Sequence, residues 1–294
     1  MFLKPIIQLL RLCQWTKNGF IFLPLFFSGQ MLNIALLAQC FTTFVAFSLA
    51  AGAVYCLNDI YDVEADRRHP VKCKRPVAAG KITVKTAYFI MAVCFMFSMF
   101  VVFVFGNEVK FTVMALIAFY FVMNIAYCIK LKRYAIVDVM VISIGFVLRI
   151  LVGGQATDIW LSEWIIILTF LLALFLAFAK RRDDVVLYQN TGVAPRRNTN
   201  CYSLDFMNQV MTFVAAITVI AYIMYTLSPD VTARFHSTHV YLTAFFVLTG
   251  IIRYLQVTIV YLQSGNPTKL LFCDRFIQVC IAGWTVSFLI IIYL

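Results

Sequence analysis

The sequence predicts an all-α, polytopic membrane protein, and three observations carry that reading. Of the 294 residues, 63% are apolar and the mean hydropathy is +0.91, against roughly 45–50% apolar in soluble domains. Charged residues make up only 13%, too few to clothe a soluble globule of this size. Long apolar runs such as Phe206–Leu227 and Val240–Leu262 reach the roughly 20 residues needed to cross hydrocarbon. These runs lack strand alternation, and in lipid every backbone polar group must be bonded internally, so they are expected to be helices.

Hydropathy places nine transmembrane helices, at residues 18–32, 34–58, 83–105, 109–129, 136–156, 162–180, 205–228, 238–262 and 271–293. Met1–Cys13, ahead of them, is interrupted by Lys4, Pro5, Gln8 and Arg11. It therefore has no signal-peptide core and reads as an amphipathic interfacial segment. The first span carries Pro24 in a short apolar run, which predicts a kinked or partly interfacial helix. The spans from 34 onward are longer and bounded by charge or turn residues. No long linker and no fixed-period repeat interrupts them, so residues 1–294 are expected to form a single domain.

The basic residues sort by side. Of the 24 Lys and Arg, all fall on one side except Lys110 and Arg234 on the other, with Arg149 and Arg253 inside helices. The positive-inside bias then places the N-terminus and the loops 59–82 and 181–204 in the cytosol. That loop charge accounts for most of the net +11, with attraction to anionic lipid added, and makes nucleic acid a poor explanation for it. The nine cysteines mostly lie in apolar runs without metal-ligand spacing and read as small buried hydrophobes.

The densest polar block runs from Asn58 through Asp59, Asp62, Glu64 and Asp66 to Arg67, Arg68, His69 and Pro70, at the end of the second span. Asp59, Asp62 and Asp66 are spaced i, i+3, i+7, so on a continued helix they share one face. Asn58 flanks that face and Glu64 points elsewhere. Three like charges so close repel unless a cation sits among them. Mg²⁺ is the natural guest, because it takes hard oxygens and is shared between carboxylates and substrate phosphates. Lys72, Lys74 and Arg75 follow and supply cations for phosphate oxygens. A solvated acidic turn balanced by those basic residues is the plainer alternative. Arg149, near mid-membrane, marks a cavity, partner or substrate path by its expense there. We read it as an internal organiser, with Asp138 eleven residues earlier on roughly the same face.

Asn58-Asp59-x-x-Asp62-x-x-x-Asp66 resembles the first aspartate-rich motif of the UbiA-type intramembrane prenyltransferases, and the resemblance covers nearly the whole chain. It implies nine helices around a central cavity open to lipid, with Asn58, Asp59, Asp62 and Asp66 holding Mg²⁺. Further segments look like the decaprenyl-phosphate phosphoribosyltransferase branch. They are Gln14-Trp15-Thr16-Lys17-Asn18, His69-Pro70-x-Lys72-x-x-Arg75-Pro76, Asp138 with Gly145–Arg149, and Lys180-Arg181-x-x-Asp184 at the end of the sixth span. The chain departs from aromatic-acceptor enzymes there, since Lys180-Arg181-Arg182-Asp183-Asp184 stands where they carry D-x-x-x-D.

The resemblance implies transfer of phosphoribose from phosphoribosyl diphosphate to a polyprenyl phosphate, with Mg²⁺ as cofactor. Asp59, Asp62 and Asp66 would be catalytic. Lys17, Asn18, Lys72, Arg75, Tyr127, Lys130, Arg149, Lys180, Arg181 and Asp184 would bind substrate. The implied location is a bacterial cytoplasmic membrane, with the site facing the cytosol. For Tyr127 and Lys130, at the end of the fourth span, interfacial anchoring is an equal reading of the residues alone. For Lys180 and Arg181 the alternative is cations favouring a helix C-terminus. The rival activities are isoprenyl transfer to an aromatic acceptor and lipid-phosphate transport.

Overall fold

The computed structural model describes residues 3–68, 71–192, 198–235, 237–262, 270 and 273–293. His69, Pro70, Arg196, Arg197 and Lys269 lie outside the described residues. The chain divides into two compact units, the first of Met1–Tyr134 with Ile144–Leu161, the second of Ala135–Ser143 with Ser162–Leu294.

The first unit is built on α3 (Ile34–Tyr61). Asn33 starts it by accepting the N–H groups of Ala35 and Leu36 on its side-chain oxygen, at 3.1 and 3.3 Å, which satisfies donors the helix itself cannot. The buried stretch Ala50-Ala51-Gly52-Ala53 presents small side chains, so neighbouring helices approach closely. α5 (Val84–Phe105) packs along it, tied by Ser98 Oγ donating to the Ala46 carbonyl at 2.6 Å. α6 (Lys110–Ile129) also packs on α3, and most of α7 (Val137–Thr157) belongs to the same unit. α5 turns Phe89, Phe97, Phe100 and Phe103 outward, each more than half exposed. Such an apolar outer face suits lipid.

The expected first span is a different object. α1 (Leu3–Leu10) is followed by a 3₁₀ segment, Leu12–Phe22, and the five-residue α2 (Leu23–Phe27) with Pro24 in its first turn. At that position the missing proline N–H costs α2 nothing, but the ring bars an α-helical ladder from running through from the preceding segment. The segment nevertheless runs the length of α3 in reverse. Arg11 pairs with Asp59, Asn18 Nδ2 donates to Ser48 Oγ at 2.8 Å, and Cys40 Sγ donates to the Ile21 carbonyl at 3.4 Å. From Asp59 to Cys40 is about 28 Å along a helix axis. Gly153 of α7 lets this segment lie close, since a Cβ there would stand 2.1 Å from the Ile21 carbonyl oxygen.

The second unit holds α8 (Glu163–Thr191), α9 (Leu204–Leu227), α10 (Pro229–Phe235), α11 (Ala244–Ile259) and α12 (Arg275–Tyr293). Phe175, Phe178, Met207, Met211, Tyr254 and Val257 form its core. α8 runs well past residue 180, where hydropathy ends the span, and stops at Gly192 in the left-handed conformation, φ 69°. Among the described residues seven helices are long and apolar enough to cross a membrane, and the apolar stretch Arg275–Ile291 of α12 is shorter. No strand occurs among the described residues.

Candidate functional site

In the first unit, α3 ends at Tyr61, and Asp62 joins it to the short α4 (Val63–Arg68). Backbone bonds from Asp62 N to Asn58 O and from Asp66 N to Asp62 O, 3.0 and 2.8 Å, carry the helical path across the break. Asp59 and Asp66 are buried, at 2% and 4% exposure, and Arg75 bridges them, 3.4 Å from Asp59 Oδ1 and 2.6 Å from Asp66 Oδ2. Arg11 also pairs with Asp59 Oδ1. Asp62 takes a different cation, Lys132 Nζ, at 2.5 Å. Asn58 is half-buried and accepts the Cys128 thiol at 3.7 Å. The three carboxylates are thus matched by three cations in two groups at the end of a spanning helix, Arg11 and Arg75 with Asp59 and Asp66, and Lys132 with Asp62.

Arg11 and Lys132 were not among the sequence-predicted site residues. Lys72 sits half-buried in the 3₁₀ turn Lys72–Lys74 immediately before Arg75. Tyr127 is half-buried and Lys130 exposed at the end of α6. Among the described residues neither makes an ion pair with the carboxylates, and Lys132 does so instead.

Arg149 lies deeper in the same unit, at 6% exposure. Its Nε donates to Asn18 Oδ1 at 2.8 Å and its Nη1 to the Gly145 carbonyl at 2.6 Å. The guanidinium carbon lies 4.9, 5.3 and 5.1 Å from the ring centres of Phe47, Tyr120 and Phe146, inside the range of cation–π attraction. No carboxylate pairs with it among the described residues. Asn18, 1% exposed, is therefore spent on Ser48 and Arg149. Lys17 is half-buried beside them.

The second unit carries another cluster, inside α8 and not at its end. The helix continues to Thr191, so the expected helix C-terminus at Lys180 and Arg181 is corrected, and the dipole argument for them falls away. Arg181 is 2% exposed; its Nε donates to Asp138 Oδ2 at 2.5 Å and its Nη1 to Asp184 Oδ2 at 3.3 Å. Tyr202 OH donates to Asp138 Oδ1 at 3.3 Å and accepts the Ile136 N–H at 2.6 Å. That contact holds Ile136 at φ 66°, an outlier for a β-branched residue. Burial pushes the Tyr202 phenol up to about 12. Arg182, 1% exposed, donates to the Thr258 carbonyl at 2.7 Å and to Asn208 Oδ1 at 2.7 Å. It closes the C-terminus of α11. Lys180 is exposed on the same helix. Asp138 therefore serves Arg181, and Arg149, on roughly the same face of α7, bonds Asn18 instead.

Among the described residues no three His, Cys, Asp or Glu side chains stand together as a metal site. Mg²⁺ asks for less, often one or two carboxylates with waters and phosphate oxygens. Asp59 Oδ2 is buried without a hydrogen-bond partner, and Asp62 is half-exposed beside it in sequence. These hard oxygens fit the ion once the resident cations shift.

Fold and site together define an all-helical integral membrane protein with a buried carboxylate–cation cluster at the end of a spanning helix. Residues 20–279 match the UbiA prenyltransferase family. The decaprenyl-phosphate phosphoribosyltransferase of Mycolicibacterium smegmatis is 30% identical over 289 residues, covering 95% of this chain and 89% of that protein. The protein of the same name from Mycobacterium tuberculosis is 31% identical over 283 residues, covering 95% and 91%. A UbiA homolog from Archaeoglobus fulgidus, solved with GPP and Mg²⁺, shares the fold with a TM-score of 0.70 at 17% identity, over 99% of this chain and 100% of that one. The chain belongs to the UbiA prenyltransferase family and is a transferase.

Proposed function

We propose that the chain transfers phosphoribose from 5-phosphoribosyl 1-diphosphate to a polyprenyl phosphate, with Mg²⁺, releasing diphosphate. The observation that carries this reading is the likeness to two decaprenyl-phosphate phosphoribosyltransferases along 95% of the chain. The site chemistry supports it. Asp59, Asp62 and Asp66, with Asn58, would hold the ion, which neutralises charge on the departing diphosphate. Lys72 and Arg75 grip its phosphate oxygens from the first unit. Tyr127, Lys130 and Lys17 are assigned to donor or acceptor phosphates, and Arg149 with Asn18 keeps the surrounding field positive. In the second unit, exposed Lys180 is the group we assign to a phosphate, with Arg181 and Asp184 setting its surroundings.

The acceptor's phosphate oxygen attacks ribose C1 while the C1–O bond to diphosphate breaks. The new bond takes the place of the old, and the electron pair leaves with diphosphate. No side-chain nucleophile is required. We further propose that residues 1–294 act as one domain with nine membrane crossings around a lipid-open cavity, in a bacterial cytoplasmic membrane, with the cluster facing the cytosol. Positive-inside charge supports that orientation.

The test offers purified protein phosphoribosyl diphosphate with a polyprenyl phosphate and, in parallel, an isoprenyl diphosphate with a phenolic acid. Phosphoribosyl transfer that EDTA or Asp59→Ala abolishes, in a variant that still purifies normally, is the expected result. Isoprenyl transfer alone would replace this reading with aromatic prenylation. Transfer persisting in EDTA would remove the metal.

A further inference from the structure

The N-terminal segment delivers a cation to the acidic cluster from 48 residues away. α1 docks on α3 through buried Leu9 and through Leu10, whose Cδ2 lies 3.1 Å from where a Gly52 Cβ would stand. The chain then turns at Arg11 with φ 51° and ψ 54°, a left-handed conformation that L side chains rarely adopt. The turn sends the guanidinium back to α3, over the Tyr55 ring at 4.9 Å and onto Asp59 Oδ1. Arg75 reaches the same oxygen, at 3.4 Å. Two cations thus crowd one oxygen of Asp59 while its other oxygen, equally buried, has no partner.

The two arginines are not equivalent. Arg75 touches two carboxylates, Asp59 at 3.4 Å and Asp66 at 2.6 Å, and lies nine residues from Asp66 on the same connection. Arg11 has no second carboxylate among the described residues. A divalent ion on Asp59 would leave it facing that ion and half-buried Lys17, with nothing to balance them. A metal alone is therefore opposed by Arg11, whereas a metal arriving with a polyanion is not.

We propose that Arg11 is a donor-binding residue that exchanges partners. It is the counter-cation of Asp59 before ligand arrives, and it moves to a diphosphate oxygen when a divalent ion takes Asp59. The inference rests on the metal-diphosphate reading of the site given above. It makes binding of metal and diphosphate interdependent through one side chain on the N-terminal segment. Arg11 suppresses metal binding in the absence of diphosphate and strengthens diphosphate binding in the presence of metal.

The test measures binding, not turnover, on full-length protein in detergent. Mn²⁺ alone is titrated by electron paramagnetic resonance. Radiolabelled inorganic diphosphate is then titrated at saturating Mn²⁺. In Arg11→Ala, Mn²⁺ alone should bind tighter and diphosphate weaker, each by on the order of tenfold, the scale of one charged hydrogen bond. Arg11→Lys should fall between wild type and Arg11→Ala, and Asp59→Asn should lose Mn²⁺. A purely structural Arg11 would weaken both ligands together, and that result overturns the proposal, as does no change in either. Wild type that binds Mn²⁺ while Arg11→Ala binds it equally removes the exchange and leaves the metal reading standing. Wild type that binds no Mn²⁺ removes both. Should Arg11→Ala not purify, Arg11→Gln gives the same opposed pair of shifts.

Discussion

Removing the Arg181 guanidinium should first damage the fold of the second unit, and only through that its activity. Arg181 and Asp138 are covered by protein, at 2% and 0% exposure, and meet at 2.5 Å. Arg181→Ala leaves the Asp138 carboxylate buried with the Tyr202 hydroxyl, 3.3 Å away, as its remaining side-chain donor. Breaking a buried pair from one side costs about 3–5 kcal/mol, because the surviving charge stays desolvated. At roughly 2–4 °C per kcal/mol for chains of 150–250 residues, the thermal midpoint should fall by about 6–20 °C. The pair replaced together, Arg181→Met with Asp138→Asn, removes both charges and should recover most of that loss. Lys180→Ala, one residue earlier and exposed, should leave the midpoint near wild type while weakening phosphoribosyl transfer roughly ten- to a hundredfold. Detergent-solubilised variants would be followed by thermal unfolding and by transfer from phosphoribosyl diphosphate. An Arg181→Ala protein with wild-type midpoint and no transfer would refute the reasoning, since Arg181 would then be acting on ligand.

Three further outcomes follow from the geometry. Gly153→Ala would set a Cβ 2.1 Å from a backbone oxygen at Ile21, so it should cost about 1–3 kcal/mol or more by overpacking, read as a lowered unfolding midpoint. Asp274 donates no proton but accepts from Arg253, at 2.9 Å from Nη2, and that bond holds its carboxyl below the usual range. The stability it contributes is full above the unfolded value near 3.9 and is lost as pH falls through the folded one. Asp274→Asn should flatten the acid limb of a midpoint-versus-pH curve. Reporters fused after Gly106 or Pro229 should appear outside the cell membrane and those after Gly80 or Thr191 inside; any reversal would redraw the orientation.

Much of the fold was legible because hydropathy reads what lipid demands. The long spans from residue 34 to residue 259 stand where apolar runs place them. Two departures have physical causes. At the N-terminal end a 3₁₀ segment and the short α2 stand in place of one long helix, yet residues 12–27 still run along α3 because Asn18, Ile21 and Gly153 find specific close partners there. In α8, hydropathy stops at Lys180 because charge begins, whereas the helix continues because each buried charge meets a partner. Arg181 finds Asp138 and Asp184, and Arg182 finds Asn208 and the end of α11.

Of the cations that meet the three aspartates, Arg75 is legible in the sequence and Arg11 and Lys132 are not. Asp59, Asp62 and Asp66 announce themselves by spacing within eight positions. Beyond nearby Arg75, their counter-charges come from 48 residues before, at Arg11, and 70 residues after, at Lys132, distances that no local pattern encodes. Asp138 and Arg149 lie on roughly the same helix face, yet they are satisfied by different partners, Arg181 and Asn18. What the folded chain adds is a charge balance. In the first unit the three aspartates are neutralised by Arg11, Arg75 and Lys132, whereas Lys17 and Arg149 have no carboxylate among the described residues. Aromatic rings, a carbonyl and Asn18 make Arg149 tolerable in the interior, but rings and dipoles do not cancel its charge. An anion entering beside Lys17 and Arg149 would offset that uncompensated charge, which supports the phosphate-binding role proposed for the first unit.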